Sequence, residues 1–140
     1  MRLSEQQIAD FDELGYLVMP DCFSEAEVAV LRAEAQKIYA VDREEVWRET
    51  SGAPRTAFAA HTYNDAFGVL GAHPRLIRPV SQFFDEPVYM HQFKVNAKAP
   101  FDGEVWQWHQ DYGTWARDDG MPEARAMNIA VFLDEVMPIN

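Results

Sequence analysis

The apolar pattern of this chain changes period near Pro87, and that change narrows the possible folds more than any other feature. Before Pro87 the pattern is helical, and two Ser-x-x-Glu/Gln capping boxes begin at Ser4 and Ser24. After Pro87 apolar and polar residues alternate, as in a strand with one buried face. Helices followed by strands predict an α+β fold. The 140 residues are expected to form a single domain, mainly helical over 1–86 and stranded over 87–140.

The helical part is expected to hold two long helices and two short ones. The first helix should end at Gly15, which readily adopts a left-handed conformation, and a short strand should follow over 16–19. The second helix carries its apolar residues on one face, at Val28, Leu31, Ala35 and Ile38. The pattern then predicts a loop over 42–61. Two short helical pieces are expected after it, over 67–70 and 76–84. Pro79 removes a backbone donor, so a kink or break is expected there.

Two strands are expected after Pro87. Over 88–98, one face carries Tyr89, His91, Phe93, Val95 and Ala97. The other face carries Gln92, Lys94, Asn96 and Lys98. This polar face either lies in solvent or lines a polar pocket inside a barrel, and the pattern leaves both open. The apolar run over 126–133 predicts a buried strand.

The charge balance argues against several classes of partner. Twelve Lys and Arg against 23 Asp and Glu give a formal net charge of −11. Such a surface repels phosphate backbones and anionic lipids, so neither a nucleic acid nor a membrane partner is expected. The single cysteine, Cys22, cannot form an internal disulfide, and the first residues lack the apolar run of a signal peptide. A cytoplasmic protein is therefore expected.

His109 and Asp111 form the candidate functional site. Side chains two residues apart in an extended segment point to the same side, so this imidazole and this carboxylate would converge. Two histidines and one carboxylate are the protein ligands of non-haem Fe(II) oxygenases. The same pair can instead be a structural histidine that is hydrogen-bonded to an aspartate. A zinc site is a third interpretation, weakened because the sequence has no neighbouring Cys or His cluster.

The histidine–aspartate pair belongs to a longer motif. It lies in the run EVWQWHQDYGTW over 104–115, which is followed by DGMP over 119–122. At the N-terminus this motif is accompanied by Phe11, the run GYLV over 15–18 and the second capping box. Together these residues resemble the phytanoyl-CoA dioxygenase family, and most closely its bacterial members related to ectoine hydroxylase. The resemblance implies an Fe(II)- and 2-oxoglutarate-dependent dioxygenase. It also implies a double-stranded β-helix of the jelly-roll, cupin-like type, of which this chain holds only the first strands.

The resemblance implies roles for individual positions. His109 and Asp111 match the first two iron ligands. Gln92, Asn96 and Thr114 match positions at the co-substrate pocket and are expected to bind 2-oxoglutarate. Lys94, on the strand face of Gln92 and Asn96, is also expected to bind this anion through its charge, and a solvated position is the alternative. Trp115, together with Gln92, matches positions that contact the substrate. For Trp106, which precedes the histidine–aspartate pair, core packing is the preferred interpretation.

The family pattern also includes a third iron ligand, a histidine, and an arginine for the 2-oxoglutarate carboxylate, both downstream of Asp111. No histidine follows Asp111 in this sequence, and the other three, His61, His73 and His91, all precede it. The chain is therefore expected to be the N-terminal portion of a longer enzyme and to be inactive alone. The alternative is a catalytically silent binding domain that retains the first half of the family fold.

The resemblance, together with the positions at which this sequence differs from its relatives, indicates the class of substrate. Ectoine hydroxylases carry serine, glutamate and histidine where Gln110, Gly113 and Ala116 stand here. Ectoine itself is therefore not the expected substrate, and a related small polar metabolite or amino acid is. Its hydroxylation would consume dioxygen and 2-oxoglutarate.

Overall fold

Five helices and a three-stranded antiparallel sheet are present in the computed structural model, which describes residues 1–100 and 105–137. The helices are α1 (Glu5–Leu14), α2 (Glu25–Tyr39), α3 (Asp65–Gly71), α4 (Pro74–Phe84) and α5 (Asp111–Asp118). The strands are β1 (Val46–Arg48), β2 (Pro54–Phe58) and β3 (Lys94–Asn96), in the order β1-β2-β3, and a 3₁₀ turn spans Ala60–Thr62. The α+β class is confirmed. Within the described ranges, no helix has the length and apolar character needed to cross a membrane.

Local capping chemistry determines where α1 and α2 begin. The Ser4 hydroxyl accepts a hydrogen bond from the Gln7 N–H at 3.2 Å, and the Gln7 side chain accepts one from the Ser4 N–H at 2.9 Å. Ser24 and Glu27 repeat this arrangement at the start of α2. Gly15 follows α1 in a left-handed conformation with φ of 78°. Both predicted helices are confirmed, because the groups that start them lie within one turn of sequence.

The start of α1 is tied to α4 by the Gln82 side chain. Its amide oxygen accepts from the Leu3 N–H at 2.7 Å and its amide nitrogen donates to the Leu3 carbonyl at 2.9 Å. The helical pieces predicted over 67–70 and 76–84 are confirmed as α3 and α4. Of the kink or break expected at Pro79, the break is wrong, since α4 is one continuous helix, and the kink stays a prediction. Pro79 is buried, and burial of its ring favours the helix although proline removes one backbone hydrogen bond.

The segment 42–61, predicted to be a loop, contains a β-hairpin. Strands β1 and β2 pair with Val46 opposite Ala57, and the chain turns at Gly52, whose φ of 91° is rarely adopted by residues with a side chain. The Gly52 N–H donates to the Glu49 carbonyl at 2.9 Å. The loop prediction is wrong here because both strands are short and carry charged residues. Their pairing partners, rather than an apolar run, stabilise them.

Strand β3 completes the sheet on the other side of β2, with Val95 opposite Ala57. Within β3 the predicted alternation is confirmed, since Val95 is buried while Lys94 and Asn96 are exposed. The strand is much shorter than the predicted 88–98. Paired residues extend only from Lys94 to Asn96 because β2 is itself short, and one further backbone bond, from the Ala97 N–H to the Arg55 carbonyl at 2.8 Å, continues the contact beyond the strand.

The core lies between α2, α3 and the sheet. Its buried members are Leu31, Ala35, Ile38, Tyr39, Val46, Ala57, Ala60, Phe67, Leu70 and Val95. Burial raises the pKa of Tyr39 to about 12, because the phenolate would lose its hydration there. Three of the four residues predicted for the apolar face of α2 lie in this cluster.

Two further predicted strands are wrong. Residues 16–19 follow α1 without strand pairing, and Tyr16 and Val18 are exposed. Residues 126–133 are also irregular, and Phe132 is exposed. A strand needs a neighbour to bond its backbone groups, and no described strand lies alongside either segment.

Candidate metal centre

His109 and Asp111 come together where an irregular segment ends and α5 begins. Gln110 between them is the N-cap residue and is extended, with φ of −111° and ψ of 123°. This conformation turns the flanking side chains to the same side, and His109 Nε2 lies 3.3 Å from Asp111 Oδ1. The predicted convergence is confirmed, although the extended segment stops at Asp111, the first residue of the helix. Glu104, the first residue of the predicted motif, lies outside the described residues.

A hydrogen bond to a residue outside the pair orients each of the two side chains. His109 Nδ1 lies 2.6 Å from the Gln107 carbonyl oxygen. Because a carbonyl only accepts, Nδ1 carries the proton, and in the neutral ring Nε2 carries a lone pair. Asp111 Oδ2 accepts from Asn128 Nδ2 at 2.9 Å. The Nε2 lone pair and Asp111 Oδ1 therefore face each other and repel unless a cation, a proton or a metal ion, joins them.

The arrangement fits two neighbouring ligands of one metal ion. Two donors at right angles, each about 2.1 Å from a metal ion, lie about 3 Å apart. The observed separation of 3.3 Å is close to that value. The His109 and Asp111 side chains are 58% and 29% exposed, so an ion can reach them from solvent. In the described ranges, no group of three or more His, Cys, Asp or Glu side chains could hold a metal ion. The described residues thus offer two candidate metal ligands at this point, and their role as ligands stays a prediction.

The other three histidines have structural surroundings. His73 is the N-cap residue of α4. His91 Nε2 lies 3.2 Å from Asp119 Oδ2. The His61 ring lies 5.0 Å from the Phe93 ring, and its Nδ1 is buried without a hydrogen-bond partner in the described structure. A tetrahedral zinc site needs at least three protein ligands and so finds no support among the described residues.

Two of the residues expected to bind 2-oxoglutarate, Lys94 and Asn96, lie on the same exposed face of β3. Asn96 Oδ1 accepts from Thr56 Oγ1 at 3.0 Å, and Lys94 Nζ lies 5.7 Å from the centre of the Phe58 ring. Gln92 is exposed just before the strand. These contacts of Lys94 and Asn96 are with β2 rather than with the histidine–aspartate pair, so the three cofactor roles stay predictions.

Helix α5 carries the remaining two predicted site residues. Thr114 is exposed. Trp115 is buried, and its ring lies 5.0 Å from the His91 ring in an edge-to-face arrangement. Trp115 therefore packs within the protein and does not face an open surface. Its role towards a substrate, like that of Thr114 towards 2-oxoglutarate, stays a prediction.

Sequence reasoning missed two supports of this site. Arg55 lies over the Trp106 ring at 4.7 Å and bonds the buried Glu49 carboxylate at 2.8 Å, so the hairpin contacts the part of the motif that precedes the histidine–aspartate pair. Core packing was expected for Trp106, and the structure agrees in part because the residue is half-buried. Asn128, which bonds Asp111, is the other support. The sequence does mark this residue, since Asn128 is the only polar residue in the apolar run 126–133.

Comparison with known sequences places this motif in a family. The sequence model of the phytanoyl-CoA dioxygenase family (PhyH) matches residues 11–140. The chain is 36% identical over 138 residues to the ectoine dioxygenase of Bordetella bronchiseptica, covering 95% of this chain and 45% of that protein. It is 38% identical over 130 residues to the L-proline trans-4-hydroxylase of Streptomyces griseoviridis, covering 90% of this chain and 47% of that protein. The chain thus spans about half the length of the curated relatives it matches.

Solved structures show the same likeness in the backbone. EctD from S. alaskensis with 2-oxoglutarate and 5-hydroxyectoine superimposes with a TM-score of 0.82 at 34% identity, over 88% of this chain and 45% of that chain. EctD from S. alaskensis with bound Fe gives a TM-score of 0.81 at 35% identity, over 88% of this chain and 46% of that chain.

Proposed function

Because this chain belongs to the phytanoyl-CoA dioxygenase family, we propose that it carries two of the three iron ligands of an Fe(II)- and 2-oxoglutarate-dependent dioxygenase. One observation carries the proposal: His109 Nε2 approaches Asp111 Oδ1 to 3.3 Å, and a hydrogen bond to a residue outside the pair orients each side chain. The structures of EctD with Fe and with 2-oxoglutarate support this choice of metal and co-substrate.

Different residues of this chain would bind the metal ion and the co-substrate of a hydroxylase. Together with 2-oxoglutarate and dioxygen, ferrous iron supplies the oxidant that hydroxylates a C–H bond. His109 and Asp111 hold the ion on one side and leave room for a third ligand and the co-substrate. The 2-oxoglutarate dicarboxylate is bound by Gln92, Lys94, Asn96 and Thr114. The Lys94 ammonium attracts its negative charge.

The substrate is proposed to be a small polar metabolite or an amino-acid-like molecule. Trp115 and Gln92 would contact it, the indole by packing and the amide by hydrogen bonds. The relatives named for ectoine and for L-proline support this size and polarity. Membership of the family does not by itself identify the substrate.

We further propose that catalysis needs more chain than these 140 residues. The relatives are about twice as long, the described residues supply two ligands, and no histidine follows Asp111 in the sequence. The sheet and the segment after it would then be the first part of a double-stranded β-helix. The 140-residue polypeptide alone is expected to release no succinate from 2-oxoglutarate above the level produced by free iron.

A catalytically silent binding domain is the second candidate. The observation that favours it is the lack, within the described ranges, of a third metal-binding side chain near the pair. The coding sequence after Asn140 separates the two candidates. A stop codon there favours the silent domain, whereas continued sequence with a histidine and an arginine favours the enzyme.

Anaerobic calorimetric titration of the chain with Fe(II) tests the proposed metal centre. We expect weak but measurable binding, and we expect His109→Ala or Asp111→Asn to abolish it, because each removes one of two donors. Asp118→Asn is the matched control. Asp118 lies in the same helix, but its carboxylate bonds Arg117 at 2.6 Å, so Fe(II) affinity should not change. Binding that survives His109→Ala, or that disappears equally in Asp118→Asn, would overturn the proposal.

A further inference from the structure

Asn128 donates a hydrogen bond to one of the two oxygens of the Asp111 carboxylate. We propose that Asn128 is a positioning residue, which holds the Asp111 carboxylate so that it offers a single oxygen to the metal ion. This inference rests on the proposed function, because it needs Asp111 to be a metal ligand.

The two oxygens of Asp111 have different surroundings. Oδ1 faces His109 Nε2 at 3.3 Å, on the side where the ion would lie. Oδ2 accepts the hydrogen bond from Asn128 Nδ2 at 2.9 Å. The amide therefore occupies the oxygen that points away from the imidazole, and it opposes the rotation that would bring both oxygens to one ion.

A carboxylate that binds through one oxygen suits this kind of site. Two histidines and one carboxylate leave three positions open on an octahedral ion, and a carboxylate that chelates through both oxygens would take one of them. Outer hydrogen bonds of this type orient metal ligands. An amide does so without charge, whereas a lysine or arginine at the same place would repel the cation.

The position of Asn128 in the sequence supports a role at this contact. Asn128 lies 17 residues after Asp111, within the otherwise apolar run 126–133. The run forms no strand in the structure, and Asn128 joins it to the first residue of α5. The hydrogen bond thus brings a distant segment to the metal-ligand end of the helix.

Titration of the 140-residue chain with Co(II) tests the inference. Co(II) accepts the same nitrogen and oxygen donors as Fe(II), and its visible spectrum reports its coordination. Asn128→Leu keeps the size of the side chain but removes the donor, and we expect a dissociation constant about tenfold higher with a changed spectrum. Asn128→Gln keeps an amide and should recover part of the affinity and the parent spectrum.

Two controls separate this role from general effects. Gln6→Leu removes another exposed amide–carboxylate bond, from Gln6 to Asp10 at 2.7 Å, and should leave Co(II) affinity unchanged. Far-UV circular dichroism checks that every variant is folded. If Asn128→Leu binds Co(II) within twofold of the parent while His109→Ala binds it more weakly, the inference is overturned and the metal centre stands. If His109→Ala has no effect either, the metal centre and the inference both fall.

Discussion

The Glu49 carboxylate is buried and forms an ion pair with Arg55. Only 2% of its side chain is exposed, and Arg55 Nη1 lies 2.8 Å away. The same guanidinium lies over the Trp106 ring, three residues before His109. A buried carboxylate that loses its cation keeps its desolvation penalty without the compensating attraction. Arg55 therefore stabilises the hairpin and the approach to the candidate metal centre together.

We expect Arg55→Met to destabilise the fold by about 2 kcal/mol, less than a fully buried pair would lose because Arg55 remains partly exposed. Urea unfolding followed by far-UV circular dichroism measures the change. Arg117→Met is the matched control, since its ion pair with Asp118 is exposed to solvent and should contribute much less to stability. Equal losses in the two variants would contradict the structural role of Arg55.

Only those contacts of the candidate site that join residues close in sequence could be predicted. His109 and Asp111 are two residues apart, so backbone geometry alone brings them together when Gln110 is extended. The contacts of Asn128 and Arg55 depend on how distant segments fold back. No local pattern encodes those distances.

At the scale of elements, the same distinction explains which parts of the fold were predictable. The capping boxes of α1 and α2 lie within one helical turn, so the sequence around each serine suffices. Strand β2 is stabilised by β3, which lies about forty residues further along the chain, as the Thr56–Asn96 bond shows. Residues 126–133 have the composition of a strand, but strand formation also needs a partner, and the described structure provides none.

The ion pair between Glu27 in α2 and Arg75 in α4 predicts that stability depends on pH. The pKa of Glu27 is lowered from 4.5 to about 2, first by the hydrogen bond from Arg75 and then by those from Ser24. A carboxylate with a lowered folded-state pKa stabilises the fold above its unfolded pKa, and this contribution disappears as the pH falls from 4.5 to about 2. We expect Glu27→Gln, which keeps a capping-box residue, to be less stable than the parent above this range. The two should converge towards its acid end.

Urea unfolding midpoints at a series of pH values measure this convergence. Glu25→Gln is the matched control, because Glu25 is an acidic residue in the same first turn that Arg75 does not bond in the described structure. The loss of stability in Glu27→Gln relative to this control should therefore report the Arg75 contact. A Glu27→Gln curve that stays parallel to the parent curve would show that Glu27 does not couple the two helices through its charge.

At the scale of the whole molecule, apolar burial is uneven. The buried core cluster draws its members from residues 31–95, and Leu133 is only partly buried against it. Within 105–137, Trp108 is fully exposed, and Val105, Phe132 and Val136 are also exposed. So much exposed apolar surface favours association, while the net charge of −11 opposes it.

These two effects respond oppositely to salt, which makes them separable. Screening shortens the range of charge repulsion from about 10 Å at 0.1 M to about 3 Å at 1 M ionic strength, while apolar association does not weaken. We expect sedimentation velocity to show self-association of the 140-residue chain that increases with salt. The double substitution Trp108→Ser and Phe132→Ser should suppress it, whereas Val18→Ser, which removes an exposed apolar side chain outside this region, should not. If the double variant associates as the parent does, another surface of the molecule is responsible.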